Sequence, residues 1–292
     1  MTRSRLAPGA GIVTVPGDGP VLRTADGEFL RVDTGDTAPE ALVRLLTAEE
    51  TGGDAHHDAG LDRLAAAFEA AGHAVPGPSP ASLAGCTVHV LGAPVLTEPL
   101  ARFLAGEGAD IHPATADRVA EISASAAEAD RVAVVWCLDS PVPDGLWDAA
   151  DRLPAHGTAW LRCHREGATV WTEPLAAAPG DVTSRQVRLR RLAATPAHRE
   201  LHAYWAGHRT PDTGPHPTEA SAALIAALLT ADLIAWAGGV RGPARLPARR
   251  RLRRIDLRDL TVTEHPVLPV PAVSPLPAPA PGARTGMAEA PA

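Results

Sequence analysis

The sequence predicts an α/β protein of two domains, and three observations carry that reading. Residues 86–138 alternate an apolar strand, a helix, a short strand, a helix and a second apolar strand, which is the grammar of a parallel sheet with right-handed crossovers. Pro76-Gly77-Pro78-Ser79-Pro80 is a linker by composition. Ahead of it, a short hairpin and two helices make a small, winged-helix-like module. The 292 residues suffice for both units. The boundaries read as 1–78 for the module, 79–265 for the sheet domain and 266–292 for a Pro/Ala-rich tail without periodicity.

In the module, 21–23 and 28–32 alternate in polarity around Asp26-Gly27, the turn pair of a tight hairpin. A helix over 39–46 puts Leu42, Leu45 and Leu46 on one face. A second over 61–71 repeats Leu61, Leu64, Ala65 and Phe68 at helical spacing, and Gly72 stops it. His56 and His57 sit between these helices without a third ligand at a useful spacing.

Beyond the linker, Cys86-Thr87-Val88-His89-Val90-Leu91-Gly92 is a strand, 97–105 a helix, Asp110-Ile111 a short strand and 119–129 a helix. The unbroken apolar run over 131–138 predicts a strand buried on both faces. A helix is expected over 145–153, then strands over 158–164 and 168–173 around Arg165-Glu166-Gly167. An Arg-rich helical region over 188–205 is broken near Pro196. Thr218 caps a long helix to Trp236, ended by Gly238-Gly239. A hairpin over 252–257 and 260–265 closes the domain.

Composition removes several functions. All 27 basic residues are Arg, so no lysine is present to cradle phosphates, form a Schiff base or act as a general base. The net charge of −7 argues against nonspecific nucleic-acid binding. The run Arg249-Arg250-Arg251-Leu252-Arg253-Arg254 reads first as a charged strand edge protected from aggregation, and second as a docking site for an acidic partner. Neither a secretory signal nor a membrane span is expected; the apolar stretch 220–237 carries Asp232 and reads as a buried helix. The location expected is the cytoplasm. Cys86, Cys137 and Cys163 are isolated, as buried thiols would be.

A nucleotide, if bound, would sit at the first strand–helix turn, where glycine amides approach phosphates. That turn reads Gly92-Ala93-Pro94-Val95-Leu96-Thr97: one glycine, a proline without a donor, and two branched side chains. Asp110 stands where an acid would meet a ribose. A Rossmann-like scaffold with a filled site is the expectation, with no cofactor. No Gly-x-Ser-x-Gly elbow is present, and Ser140 precedes Pro141 rather than a helix. His198 and His202 lie at i, i+4 with Glu200 between them, and read as exposed polar helix. The six Trp read as core or interface anchors.

Four stretches carry a family resemblance: TAWLRCHREGATVWTEPLAAAPG at 158–180, RLRRLA at 188–193, the Ala/Leu helix at 218–237 and RRIDLRDLTVTEHPVLPVP at 253–271. This order resembles the ThiF-like, or Ocin-ThiF-like, leader-peptide-binding partners of thiazole/oxazole-modified peptide (RiPP) biosynthesis. The resemblance implies that the module is a RiPP recognition element and the sheet domain a degenerate ThiF-type domain. Members commonly carry two Cys-x-x-Cys pairs around a structural zinc. Here Thr183 and Gln186 align with the first pair and no Cys follows Pro271, so no metal is expected. The implied role is non-catalytic. A precursor's leader peptide would add as a strand to the module, and a separate YcaO-type cyclodehydratase would form azolines. The implied contacts are Phe29, Leu30, Arg31 and Val32 on the strand and Arg63, Ala67 and Phe68 on the helix, each apolar one having core packing as its plain alternative. A homodimer is compatible with this reading; nucleic acid and membrane are not among the expected partners. The competing readings are an active ThiF-like adenylyltransferase and a docking scaffold for another RiPP-modifying enzyme.

Overall fold

The computed structural model describes residues 4–15, 17–47, 59–76, 82–125, 131–238 and 246–270, and the chain divides into two units, Met1–Ser82 and Leu83–Ala292. His56, His57, most of the Pro/Gly linker and the tail beyond 270 lie outside the described residues.

Unit one is richer in strands than the sequence suggests. β1 (Ser4–Leu6), β2 (Gly11–Val15), β3 (Gly19–Arg23) and β4 (Phe29–Arg31) precede α1 (Pro39–Thr47), α2 (Ala59–Ala70) and β5 (Ala74–Pro76). β2, β3 and β4 form an antiparallel sheet in that order, while β1 pairs with β5. Pro76 therefore ends a strand rather than opening a linker. The expected hairpin and both helices are present, but the two-strand module becomes a five-strand one. A signal for β2 was available: Ile12-Val13-Thr14-Val15 is β-branched and leads into a Gly/Asp turn. Leu22, Leu42, Leu46, Phe68 and Ala74 make the core.

In unit two, β6 (Cys86–Gly92), α3 (Pro94–Gly106), β7 (Asp110–Pro113), α4 (Val119–Ser125), β8 (Arg131–Leu138) and β9 (Ala159–Glu166) build a parallel half-sheet. β10 (Thr169–Thr172), β11 (Arg251–Asp256) and β12 (Val262–Pro266) extend it antiparallel, giving the order β12-β11-β10-β9-β8-β6-β7. The helices α5 (Ser184–Ala194), α6 (His198–Trp205) and α7 (Glu219–Gly238) lie between β10 and β11 in the chain. The uniform hydrophobicity of β8 follows from its two covered faces. Ala133, Val135 and Cys137 join the core built with α3 and α7, and Val132, Val134 and Trp136 join the core on the other side.

The helix expected over 145–153 is instead a series of turns followed by a 3₁₀ segment, Ala150–His156. Pro154 inside it has no N–H for an α-helical ladder. α7 has the length and composition of a membrane span, but Ala222, Ile225, Ala226, Leu229 and Leu233 are buried in the core. Its hydropathy is that of a core helix. The three cysteines are free and buried. Cys137 and Cys163 are register partners, and their mutual hydrogen bond and then burial push the Cys163 thiol well above its ordinary range.

Candidate functional site

β4 is the edge of its sheet, hydrogen-bonded to β3 in the register Val21↔Arg31, Leu22↔Leu30 and Arg23↔Phe29. Alternation splits the candidate contacts between two faces. Leu30 shares its face with Leu22 and Ile12, the core side, yet at the edge it stays 41% exposed. Phe29 and Arg31 point to the outer face. Phe29 is 63% exposed, and Arg31 pairs loosely with Asp18 at 3.4 Å. Val32 is half-buried against the core, its N–H donating to the Pro20 carbonyl.

On α2, Arg63 and Ala67 are exposed, and Arg63 Nε donates to the Ala59 carbonyl of its own helix. Phe68 departs from the expected contact set. It is only 7% exposed and packs in the core with Leu42 and Leu46, so it holds α2 in place rather than meeting a ligand. The structure thus places Phe29, Leu30 and Arg31 on one strand edge that is unpaired among the described residues. Arg63 and Ala67 lie on a helix that packs mainly on α1 and β5.

The first strand–helix turn of unit two is closed by the protein itself. Gly92 sits at φ +120°, and a Cβ there would fall 1.8 Å from the Cys137 carbonyl oxygen. This glycine admits β8, not a phosphate. The next amide, Ala93 N–H, donates to that same carbonyl at 2.8 Å; Pro94 has no donor, and Leu96 is buried. Asp110 is displaced from its expected place. It begins β7, opposite Thr87 near the start of β6, at the far end of the sheet from Gly92. It accepts from or pairs with His112 at 2.9 Å, and so cannot reach a ribose at the turn. The strand expected at Asp110-Ile111 runs on to Pro113, so it is Pro113 and not the acid that lies towards the turn.

The junction of the two half-sheets, at β9 and β10, hides a chain of buried charges that sequence reading passed over. Along one face of β9 run Trp160, Arg162, His164 and Glu166. Arg162 is fully buried and donates to Glu173 at 2.7 Å and to the carbonyls of Pro174 and Val182. His164 lies between Glu166 at 3.2 Å and Glu173 at 3.6 Å. Glu166 also accepts from Arg191 at 2.6 and 3.0 Å and from the Trp205 indole at 2.7 Å. Arg191 itself lies over the Trp171 ring, 4.1 Å from its centroid. Trp136, Trp147 and Trp160 meet edge to face beside this chain. The only signal in sequence was period-2 polarity within a strand flanked by apolar residues.

Burial alone would raise the Glu166 carboxyl, but its hydrogen bonds and charge contacts with His164 and Arg191 outweigh it. They hold the group well below the ordinary carboxylate value of 4.5. A depressed acid stabilises the fold above its unfolded value and loses that contribution as pH falls below it. Urea midpoints are therefore expected to decline as pH drops from about 5 to about 3, with a shallower decline in Glu166→Gln. Equal slopes in the two proteins would refute this role for Glu166.

Four arginines of the run, Arg249, Arg251, Arg253 and Arg254, are likewise paired internally. Arg249 pairs with Asp181 at 3.3 Å, and Arg251 and Arg253 both bind Asp232 of α7 and reach Glu264 of β12. Arg254 faces Asp256 at 3.7 Å. The edge-strand reading of this run gives way, because β11 is an interior strand whose charges are matched by neighbouring carboxylates.

At the start of α5, Thr183 Oγ1 accepts from the Gln186 amide, and Asp151 accepts from the amides of Ser184 and Arg185 and from the Ser184 hydroxyl. Gln186 and Arg190 then donate to the carbonyls of Val270, Leu268 and Pro269. The residues aligned with a metal-binding pair thus cap a helix and tie it to the HPVLPV segment. His198 and His202 are exposed on α6. Among the described residues, no group of three or more His, Cys, Asp or Glu converges as metal ligands would.

No family model and no curated protein matches the sequence. Solved structures do match the fold. The heterocyclase TruD aligns with a TM-score of 0.60 at 16% identity over 92% of this chain and 42% of its own. A heterocyclase in complex with substrate and cofactor aligns with a TM-score of 0.60 at 10% identity over 92% of this chain and 39% of its own. MccB of E. coli aligns with a TM-score of 0.53 at 10% identity over 92% of this chain and 95% of its own. The chain spans about two fifths of the length of the heterocyclases and nearly the whole of MccB. At these identities the likeness is one of fold: this chain has the mixed α/β architecture found in those heterocyclases and in MccB.

Proposed function

We propose that the protein is a non-catalytic partner in azole-forming RiPP biosynthesis, binding the leader of a precursor peptide and presenting it to a separate YcaO-type cyclodehydratase. The observation that carries this reading is the β4 edge, unpaired among the described residues, with Phe29 and Leu30 exposed on it. An extended peptide pairing there would gain main-chain hydrogen bonds, while Leu30 and Val32 on one face and Phe29 and Arg31 on the other meet its alternating side chains. Arg63 and Ala67 remain proposed contacts on α2. The fold shared with two heterocyclases and with MccB supports the biosynthetic setting. Tethering the leader would raise the effective concentration of the precursor's core residues at the enzyme.

The closed turn at Gly92 favours a non-catalytic role over the adenylyltransferase alternative. Its first amide is already bonded, the next residue has none, and Leu96 is buried. The test is titration of fluorescein-labelled leader from a precursor encoded beside this gene. Saturable binding is expected, with Leu30→Asp weakening it roughly tenfold or more. Absence of saturation, or indifference to Leu30→Asp, refutes the site. ATP–pyrophosphate exchange above background with the precursor present would establish the adenylyltransferase instead.

A further inference from the structure

The core that α7 helps to build accounts for one side of that helix only. Ala222, Leu229 and Leu233 are buried in the core shared with α3 and the sheet. At about 100° per residue, Ala220, Leu224, Ala227, Leu228, Ala231 and Ile234 fall in one stripe on the opposite side. The three alanines are exposed and the other three side chains half-buried. A surface helix of a globular domain ordinarily carries its charges on that side. Here the charged residues of α7 are Glu219, at its first position, and Asp232, which turns inward to Arg251 and Arg253. The stripe runs for about 21 Å without a polar side chain.

Its two ends are of opposite charge. Glu219 stands at the start, beside a groove that Val95, Glu98 and Arg102 of α3 form with Ala222. At the other end, Arg131 Nη1 donates to the Ala237 carbonyl at 3.1 Å. Both are exposed, and neither has a partner of opposite charge among the described residues. Such a stripe is complementary to its own reverse. Laid antiparallel on a second α7, it brings each Glu219 to the partner's Arg131 and opposes the helix dipoles, and the exposed alanines let the two backbones approach closely. A polar or charged segment would find no donor, acceptor or counterion along it. A lipid surface is not matched either, since helices that lie on membranes flank their apolar side with Lys or Arg, and α7 has neither.

We propose that the outer face of α7 is the two-fold interface of a homodimer, with the axis passing between Ala227 and Ala231. The stripe covers about 200 Å² in projection, below the roughly 800 Å² that each partner buries in a standard interface. The α3 side chains at its rim therefore take part, and the dimer is a weak one. It does not depend on leader binding.

Sedimentation equilibrium of the full chain, without other components, reads mass against concentration. The mass is expected to rise from 30.2 kDa towards twice that value, with a dissociation constant on the order of 10 µM. Ala227→Glu sets two carboxylates against each other near the axis and is expected to raise that constant roughly tenfold or more. Its position is exposed, glutamate is a good helix former, and circular dichroism checks the fold. Glu219→Arg and Arg131→Glu are each expected to weaken the dimer about threefold, and the double variant to recover the parent's constant. Leu30→Asp is expected to dimerise as the parent does. A chain that stays at 30.2 kDa up to about 200 µM overturns the proposal. Parental dimerisation in Ala227→Glu, a double variant that recovers nothing, or a monomer that floats with vesicles of anionic lipid overturns it as well.

Discussion

Asp232→Ala is expected to lower the free energy of unfolding by about 3–5 kcal/mol, the cost of leaving buried charge without its counterion. Asp232 is 1% exposed in the middle of the apolar helix α7, where it receives Arg253 at 2.5 and 3.0 Å and also Arg251. Removing the carboxylate leaves two guanidinium groups, one of them almost wholly out of solvent, to share the single half-exposed carboxylate of Glu264. The deficit belongs to these under-compensated cations rather than to the lost pair as such. Replacing all three residues together, as Asp232→Leu with Arg251→Met and Arg253→Met, should therefore recover most of it. Urea denaturation of the single and triple variants measures both effects. Removal of the exposed Arg31–Asp18 pair gives the contrast, with a change below about 1 kcal/mol. A single Asp232→Ala variant as stable as the parent would show that the network is not closed as described.

Gly92→Ala should cost more than about 4 kcal/mol, in the range reserved for steric failures of the backbone. The new methyl carbon would overlap the Cys137 carbonyl oxygen at 1.8 Å and its carbon at 2.7 Å. Both are main-chain atoms of a central strand, so no side chain can rotate away. The sheet must open between β6 and β8, losing the Ala93-to-Cys137 hydrogen bond as it does. Gly85→Ala is the control. It too has positive φ, at +75°, but its surroundings are open, and the expected cost is about 1–2 kcal/mol. Thermal or chemical melts of the two variants separate packing from conformational strain. Similar losses for both would mean that β8 does not press on Gly92.

Local pattern accounts for what the sequence revealed. The unbroken run of β8, the helical spacing in α2 and the Thr218 cap are all interactions within a few residues. Thr218 and Ser221 indeed exchange hydrogen bonds at the start of α7. What escaped notice depends on partners far along the chain. β1 exists because it pairs with β5, some 70 residues later. Asp151 caps a helix that begins 33 residues on. Asp110 was misplaced because pairing with β6, not hydrophobicity, sets where β7 ends. In the candidate site, Phe29 and Leu30 were legible as members of an alternating strand. Phe68 had the same apolar credentials and went to the core, since composition does not say which face of a small module is already covered. The edge reading of the arginine run failed because Asp232 and Glu264, the counterions of its two most buried members, lie in a helix and a strand on either side of it.

The position of Asp232 relative to its two arginines also bears on how the chain is made. During synthesis α7 leaves the ribosome before β11, so for about a second of translation its carboxylate has no native cation to meet. β10 waits over a longer interval, about 80 residues, for the neighbour that covers its open side. Until the last hairpin is made, the β10 edge and this carboxylate both lack their native partners, and the same strand, β11, supplies both.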